Sequence, residues 1–167
     1  MSSRIDPTLM HELKEFGAVE IEKCFNCGNC TAICPLTSNE NPFPRNMIRL
    51  TQVGMRERLQ HSLDPWLCYY CGDCSATCPK QAEPGETMMA MRRWLTAQYD
   101  WTGLSGRLYT SKAWSIGALF AGALLVIVLA VLLHGPMVTQ NVALNTFAPV
   151  DMIHSADLIL AAVLAFF

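Results

Sequence analysis

Beyond Lys112 the chain has no positive charge. All twelve lysines and arginines lie at or before that residue, and only Asp151 and Asp157 are charged after it. Residues 1–112 balance twelve basic against twelve acidic side chains. Phosphate binding needs a basic excess, so nucleic acid is excluded as a partner. No stretch alternates apolar and polar residues with period two, which argues against a sheet-built domain. No G-x-G-x-x-G is present to cradle a flavin or nicotinamide dinucleotide. Met1 to Phe16 is polar and of mixed charge. It has no apolar core of a secretory signal, so a secreted, disulfide-stapled domain is not expected. Finally, no cysteine lies outside two short runs.

Those runs are what the sequence has instead. Cys24-Phe25-Asn26-Cys27-Gly28-Asn29-Cys30-Thr31-Ala32-Ile33-Cys34-Pro35 is repeated as Cys68-Tyr69-Tyr70-Cys71-Gly72-Asp73-Cys74-Ser75-Ala76-Thr77-Cys78-Pro79. Both read C-x2-C-x2-C-x3-C-P, and between them they hold all eight cysteines. This is the bacterial spacing for iron–sulfur clusters. Three thiolates two residues apart wrap one cluster, and the fourth points away to the other. Cluster one is expected to take Cys24, Cys27, Cys30 and Cys78. Cluster two is expected to take Cys68, Cys71, Cys74 and Cys34. Gly28 and Gly72 sit where a side chain would crowd the cluster or block an unusual φ. Pro35 and Pro79 stop each segment. Structural zinc needs four ligands per site and has no use for the third cysteine and the C-P. A redox dithiol needs a single C-x-x-C. The pattern therefore predicts two [4Fe–4S] clusters; [3Fe–4S] is disfavoured because no cysteine is missing.

The flanks predict helices. Asp6-Pro7 opens a first helix with Leu9, Leu13 and Phe16 on its apolar side and Gly17 as its stop. Glu12 and Glu15 are expected to face solvent, and His11 to be an exposed polar residue. Thr37 to Pro44 is a turn-rich connector. A second amphipathic stretch follows, with Met47, Ile48, Leu50, Val53, Met55 and Leu59 apolar and the arginines elsewhere. Asp64-Pro65 opens a short helix expected to carry Cys68 and Cys71. Glu86 to Gln98 is a third amphipathic helix, with Met88, Met91, Trp94 and Leu95 on one side. The two cysteine runs are offset by forty-four residues throughout, as an internal duplication or the cluster geometry itself would produce. The fold class expected is all-α: an α-helical ferredoxin domain over 1–100, a juxtamembrane linker over 101–112, and a membrane domain over 113–167.

Hydrophobic residues make up 51% of the chain, with mean hydropathy +0.24. The excess is concentrated at the C-terminal end. Ala113 to Leu133 contains 21 residues without a charge, enough to cross about 30 Å of hydrocarbon at roughly 1.5 Å per residue. Trp94, Tyr99, Trp101, Tyr109 and Trp114, with Arg107 and Lys112, suit a membrane–water boundary. Val150 to Phe167 reads as a second span that stops without a polar end, as in the front part of a longer polypeptide. Arg107 and Lys112 on one side, and no Lys or Arg in the loop to Pro149, place residues 1–112 in the cytoplasm. The expected location is the cytoplasmic (inner) membrane, multi-pass. His134 and His154 flank that loop. In a membrane redox protein either side chain can serve as an axial ligand to haem b, His154 being better placed within a span; the alternative is an interfacial histidine bonded to headgroups or water.

The run CFNCGNCTAICP, the connector NPFPRNMIRL and the run CYYCGDCSATCP resemble the C subunit of heterodisulfide reductase, over roughly residues 6–100. Helix, dicluster and then spans is an order similar to that of the C subunit of the quinone-interacting membrane-bound oxidoreductase (Qmo) of sulfate reducers. This resemblance implies a dicluster domain joined to a cytochrome b-like membrane domain with two b haems. It implies electron transfer between menaquinone and cytoplasmic flavin-containing subunits, of the heterodisulfide reductase A-like Qmo A and B type, that serve adenylylsulfate reductase. Disulfide reduction in the first family uses Cys-Cys-Gly domains. No two cysteines here are adjacent, so such catalysis is expected of a partner. The remaining readings are an electron-transfer subunit of a heterodisulfide reductase-type complex, and a membrane-tethered dicluster ferredoxin without quinone chemistry. No catalytic residue is expected apart from a possible quinone site among the spans.

Overall fold

A computed structural model describes residues 5–134 and 150–166. The chain divides into two units, residues 1–115 and 116–167. Among the described residues every regular element is a helix.

In the first unit, α1 (Leu9–Glu15), α3 (Arg45–Val53) and α7 (Pro84–Tyr99) pack against one another. Leu9, Leu13, Ile21, Met47, Ile48, Leu59, Met88, Met91, Trp94 and Leu95 form a fully buried core between them. Burying a large apolar side chain contributes roughly 1.5–3 kcal/mol, so this cluster dominates the stability of the unit. The first helix starts at Leu9, two residues beyond the expected proline. Asp6 does not cap it from the front; its Oδ1 accepts from the backbone N and the hydroxyl of Thr8, at 2.9 and 2.6 Å. Gly17 ends the helix as expected, with φ of 101°.

The second amphipathic stretch is two helices, not one. α3 stops at Gly54, whose φ of 81° is left-handed, and α4 (Arg56–Gln60) restarts at once. Two other expectations fail because distant residues meet. Glu12 is not merely solvent-facing: it pairs with Arg56 and accepts from Trp94 Nε1 at 2.9 Å. Trp94 is fully buried, so it leaves the group of boundary aromatics. Trp101, Tyr109 and Trp114 are exposed, and the Arg107 guanidinium lies 5.8 Å from the Trp114 ring centre. The stretch expected as a linker contains a helix, α8 (Leu104–Thr110), packed on α7.

α9 (Lys112–His134) runs into the second unit, which also contains α10 (Val150–Phe166). Among the described residues one helix is long and apolar enough to cross a membrane, over Lys112–Leu132, and none of that span is buried. The apolar part of α10, Ile153–Ala162, is shorter. The expected loop between the spans, 135–149, lies outside the described residues, as does Phe167.

Candidate metal centres

Each cysteine run folds in the same way. Two short helices, α2 (Asn29–Ile33) and α6 (Asp73–Ala76), pack against each other. Each is preceded by a glycine in left-handed backbone, Gly28 at φ 94° and Gly72 at φ 86°. Only glycine adopts this conformation freely, which explains its position after the second cysteine. The residues two before these glycines repeat the match: Asn26 and Tyr70 have φ of 61° and 58°. Left-handed backbone in a tyrosine is costly and has to be held by its surroundings.

The third cysteine of each run, Cys30 or Cys74, lies in the first turn of its short helix. Cys68 and Cys71 do not share a helix as expected. α5 (Asp64–Leu67) ends at Cys68, whose backbone is extended, and Cys71 lies in the following loop. The fourth cysteine leaves its own run. After α2 the chain straightens at Cys34, at φ −77° and ψ 122°. Because α2 and α6 are packed together, each fourth cysteine comes to the opposite half.

Two cavities result. One is lined by Cys24, Cys27, Cys30 and Cys78, with Arg45 and Lys80 on its wall. The other is lined by Cys34, Cys68, Cys71 and Cys74, with Asp73 and Tyr69 on its wall. All eight cysteines are free thiols. Among the described residues no three Cys, His, Asp or Glu side chains converge closely enough for one metal ion. Four thiols per cavity, three from one run and one from the other, are the donor set that a [4Fe–4S] cluster takes.

Two of the thiols, Cys30 and Cys74, sit in a setting that resists charge. Burial, then the neighbouring Cys68, Cys30, Cys71 and Cys34, pushes the Cys74 thiol up to about 11. Burial likewise raises the Cys30 thiol. Iron binds the thiolate, so loading such a site releases protons and the metal supplies the charge that makes it favourable. The Ala82 backbone N–H donates to Cys78 Sγ at 3.3 Å. Hydrogen bonds to sulfur of this kind tune a cluster's potential.

Residues 23–82 match the family model of the 4Fe-4S dicluster domain. Iron–sulfur cofactors and electron transfer through them are thereby supported for this part of the chain. The chain is also similar to curated proteins of one kind. It is 35% identical over 88 residues to a protein of Archaeoglobus profundus that is like the C subunit of heterodisulfide reductase, covering 52% of this chain and 47% of the relative. It is 31% identical over 64 residues to the C subunit of the H(2):CoB-CoM heterodisulfide,ferredoxin reductase of Methanothermobacter marburgensis, covering 38% and 34%. The chain thus spans less than half the length of the relatives it matches.

Both candidate haem-ligating histidines belong to the second unit. His154 is exposed on α10, and His134 is the last residue of α9. Sequence reasoning missed the polar side chains that hold the cysteine loops from outside the motifs, Gln52 and Arg92. No local spacing marks either one.

Proposed function

We propose that this chain is an electron-relay subunit of a membrane-bound, quinone-linked oxidoreductase. The observation that carries the reading is the sorting of eight thiols into two cavities, each with three cysteines from one run and one from the other. Cys24, Cys27, Cys30 and Cys78 hold the first [4Fe–4S] cluster, and Cys68, Cys71, Cys74 and Cys34 hold the second. When bound, each cluster accepts and passes on one electron with little rearrangement. Oxidation of menaquinol to menaquinone releases two electrons and two protons, and carriers that take one electron each would pass the two on singly. The chain's own residues hold the relay in place and set its local charge.

On this reading the chain sits at the cytoplasmic (inner) membrane, with residues 1–112 in the cytoplasm and α10 in a multi-pass domain; the membrane-length helix α9 supports the membrane part of it. His154, and less directly His134, would ligate haem b there. The partners on this reading are flavin-containing, heterodisulfide reductase A-like subunits of the Qmo type, which serve adenylylsulfate reductase in sulfate respiration. The similarity to heterodisulfide reductase C-like proteins also favours a second reading, in which the chain relays electrons within a heterodisulfide reductase-type complex.

The test is an optical and metal analysis of the native complex, purified anaerobically. The first reading expects about eight irons and eight sulfides per chain, following from two [4Fe–4S] clusters. It also expects reduced haem b bands on addition of a menaquinol analogue, together with bleaching of the broad iron–sulfur absorbance. A complex with both clusters, no haem and no response to the quinol would favour the second reading. Zinc in place of iron would end both.

A further inference from the structure

The cysteine loops are held by side chains from outside the motifs, and the two halves use different ones. In the first half, Gln52 on α3 donates through Nε2 to the carbonyls of Ile21 and Cys24, at 3.2 and 2.8 Å. Its Oε1 accepts from Asn26 Nδ2 at 2.9 Å. In the second half, Arg92 on α7 donates through Nε to the carbonyl of Pro65 at 2.6 Å. Its Nη2 donates to the carbonyls of Trp66, at 2.9 Å, and of Cys68.

The anchored carbonyls correspond. Pro65 follows Ile21, and Cys68 follows Cys24, by the same forty-four residues that separate the two motifs. Gln52 and Arg92 are forty residues apart and lie on different helices. They are therefore not copies of one ancestral position. The repeated backbone needs the same two carbonyls fixed, and each half has found its own donor.

The donors differ in charge. A glutamine amide satisfies the carbonyls without adding net charge. A guanidinium satisfies them and leaves a permanent cation beside the loop that begins the second site. A nearby cation favours the reduced, more negative state of a cluster.

We propose that Gln52 and Arg92 are equivalent positioning residues for the two cluster loops, and that the charge of Arg92 raises the reduction potential of the cluster held by Cys68, Cys71, Cys74 and Cys34. The inference rests on the two-cluster reading. Iron and sulfide content tests that reading, whereas the potentials and the selectivity of cluster loss test this one.

The experiment is a redox titration followed by electron paramagnetic resonance on the full chain in its native complex. The variants are Arg92→Gln, Arg92→Lys, Arg92→Ala and Gln52→Ala. Arg92→Gln keeps hydrogen-bonding capacity and removes the charge. It should retain iron and sulfide while one cluster becomes about tenfold harder to reduce, or about 59 mV for one electron. Arg92→Lys keeps the charge and should leave that potential near the parent value. Arg92→Ala and Gln52→Ala should each weaken the signal of a different cluster. Unchanged potentials in Arg92→Gln would overturn the electrostatic half of the proposal, as would an equal shift in Arg92→Lys. Full occupancy and unchanged signals in both alanine variants would overturn the positioning half. Loss of both clusters from either alanine variant would also count against it, since a side chain that holds the whole fold is not the anchor of one loop.

Discussion

Asp73 lines the second cavity, and its counterpart in the first run, Asn29, lines the other. A carboxylate there opposes the arrival of an electron. On the proposed ligand assignment, Asp73→Asn should therefore raise the potential of the cluster in the second cavity, by up to about 60 mV because the side chain is solvent-exposed and screened. A redox titration reads this directly, and unchanged potentials for both clusters would remove Asp73 from the account. The two cysteine runs, and the replacement of Asn29 by Asp73 between them, can be seen in the chain because ligand spacing and run-to-run comparison are local signals. Glu12 was not. Helical periodicity assigns it to the solvent side, and only the folded chain brings Arg56 and Trp94 to it across more than forty residues. The same holds for Gln52 and Arg92. Their partners are backbone carbonyls, which leave no trace in a sequence pattern.

At the scale of elements, the helices themselves were readable and their breaks were less so. The run from Arg45 to Leu59 keeps a continuous apolar face, and that face conceals the interruption at Gly54. The structural reason lies in the segment packed against it. The Asp6 N–H donates to the Gly54 carbonyl at 2.8 Å, and a Cβ at Gly54 would collide with the Asp6 backbone. Gly54→Ala combines that collision with a left-handed φ. It should lower stability by about 2 kcal/mol or more, read from denaturant midpoints. Asp6 also links this junction to pH. Hydrogen bonds from Thr8, then from Arg56, lower its carboxyl to about 2. A group depressed on folding stabilises above its ordinary titration range, and the contribution is lost as pH falls through the folded value. Unfolding midpoints should thus drop between about pH 5 and pH 2. Asp6→Asn should show a shallower decline over that window and a lower midpoint at neutral pH.

For the molecule as a whole, two kinds of material are joined in one chain. The first unit has a buried apolar core and paired charges such as Arg56 with Asp6 and Glu12. In the second, the apolar side chains of α9 point outward, with Leu119, Phe120, Val131 and Leu132 at least 70% exposed. In water, a contiguous apolar surface along a whole helix is a liability; in hydrocarbon it is the required condition, since the helix satisfies its own backbone. The composition of α9 made this legible in advance, because the absence of charge over its length is a one-dimensional property. What covers it is a matter of solvent. Leu124 lies near the middle of α9 and is exposed. Leu124→Arg should therefore cost about 2.5–3.5 kcal/mol of insertion free energy and shift the chain out of the membrane fraction, measured by alkaline extraction and immunoblotting. The same substitution lies outside the first unit, so its iron and sulfide content should stay at the parent level. If Leu124→Arg leaves extraction unchanged, α9 is covered by protein. If it strips iron from the first unit, the two units are energetically coupled.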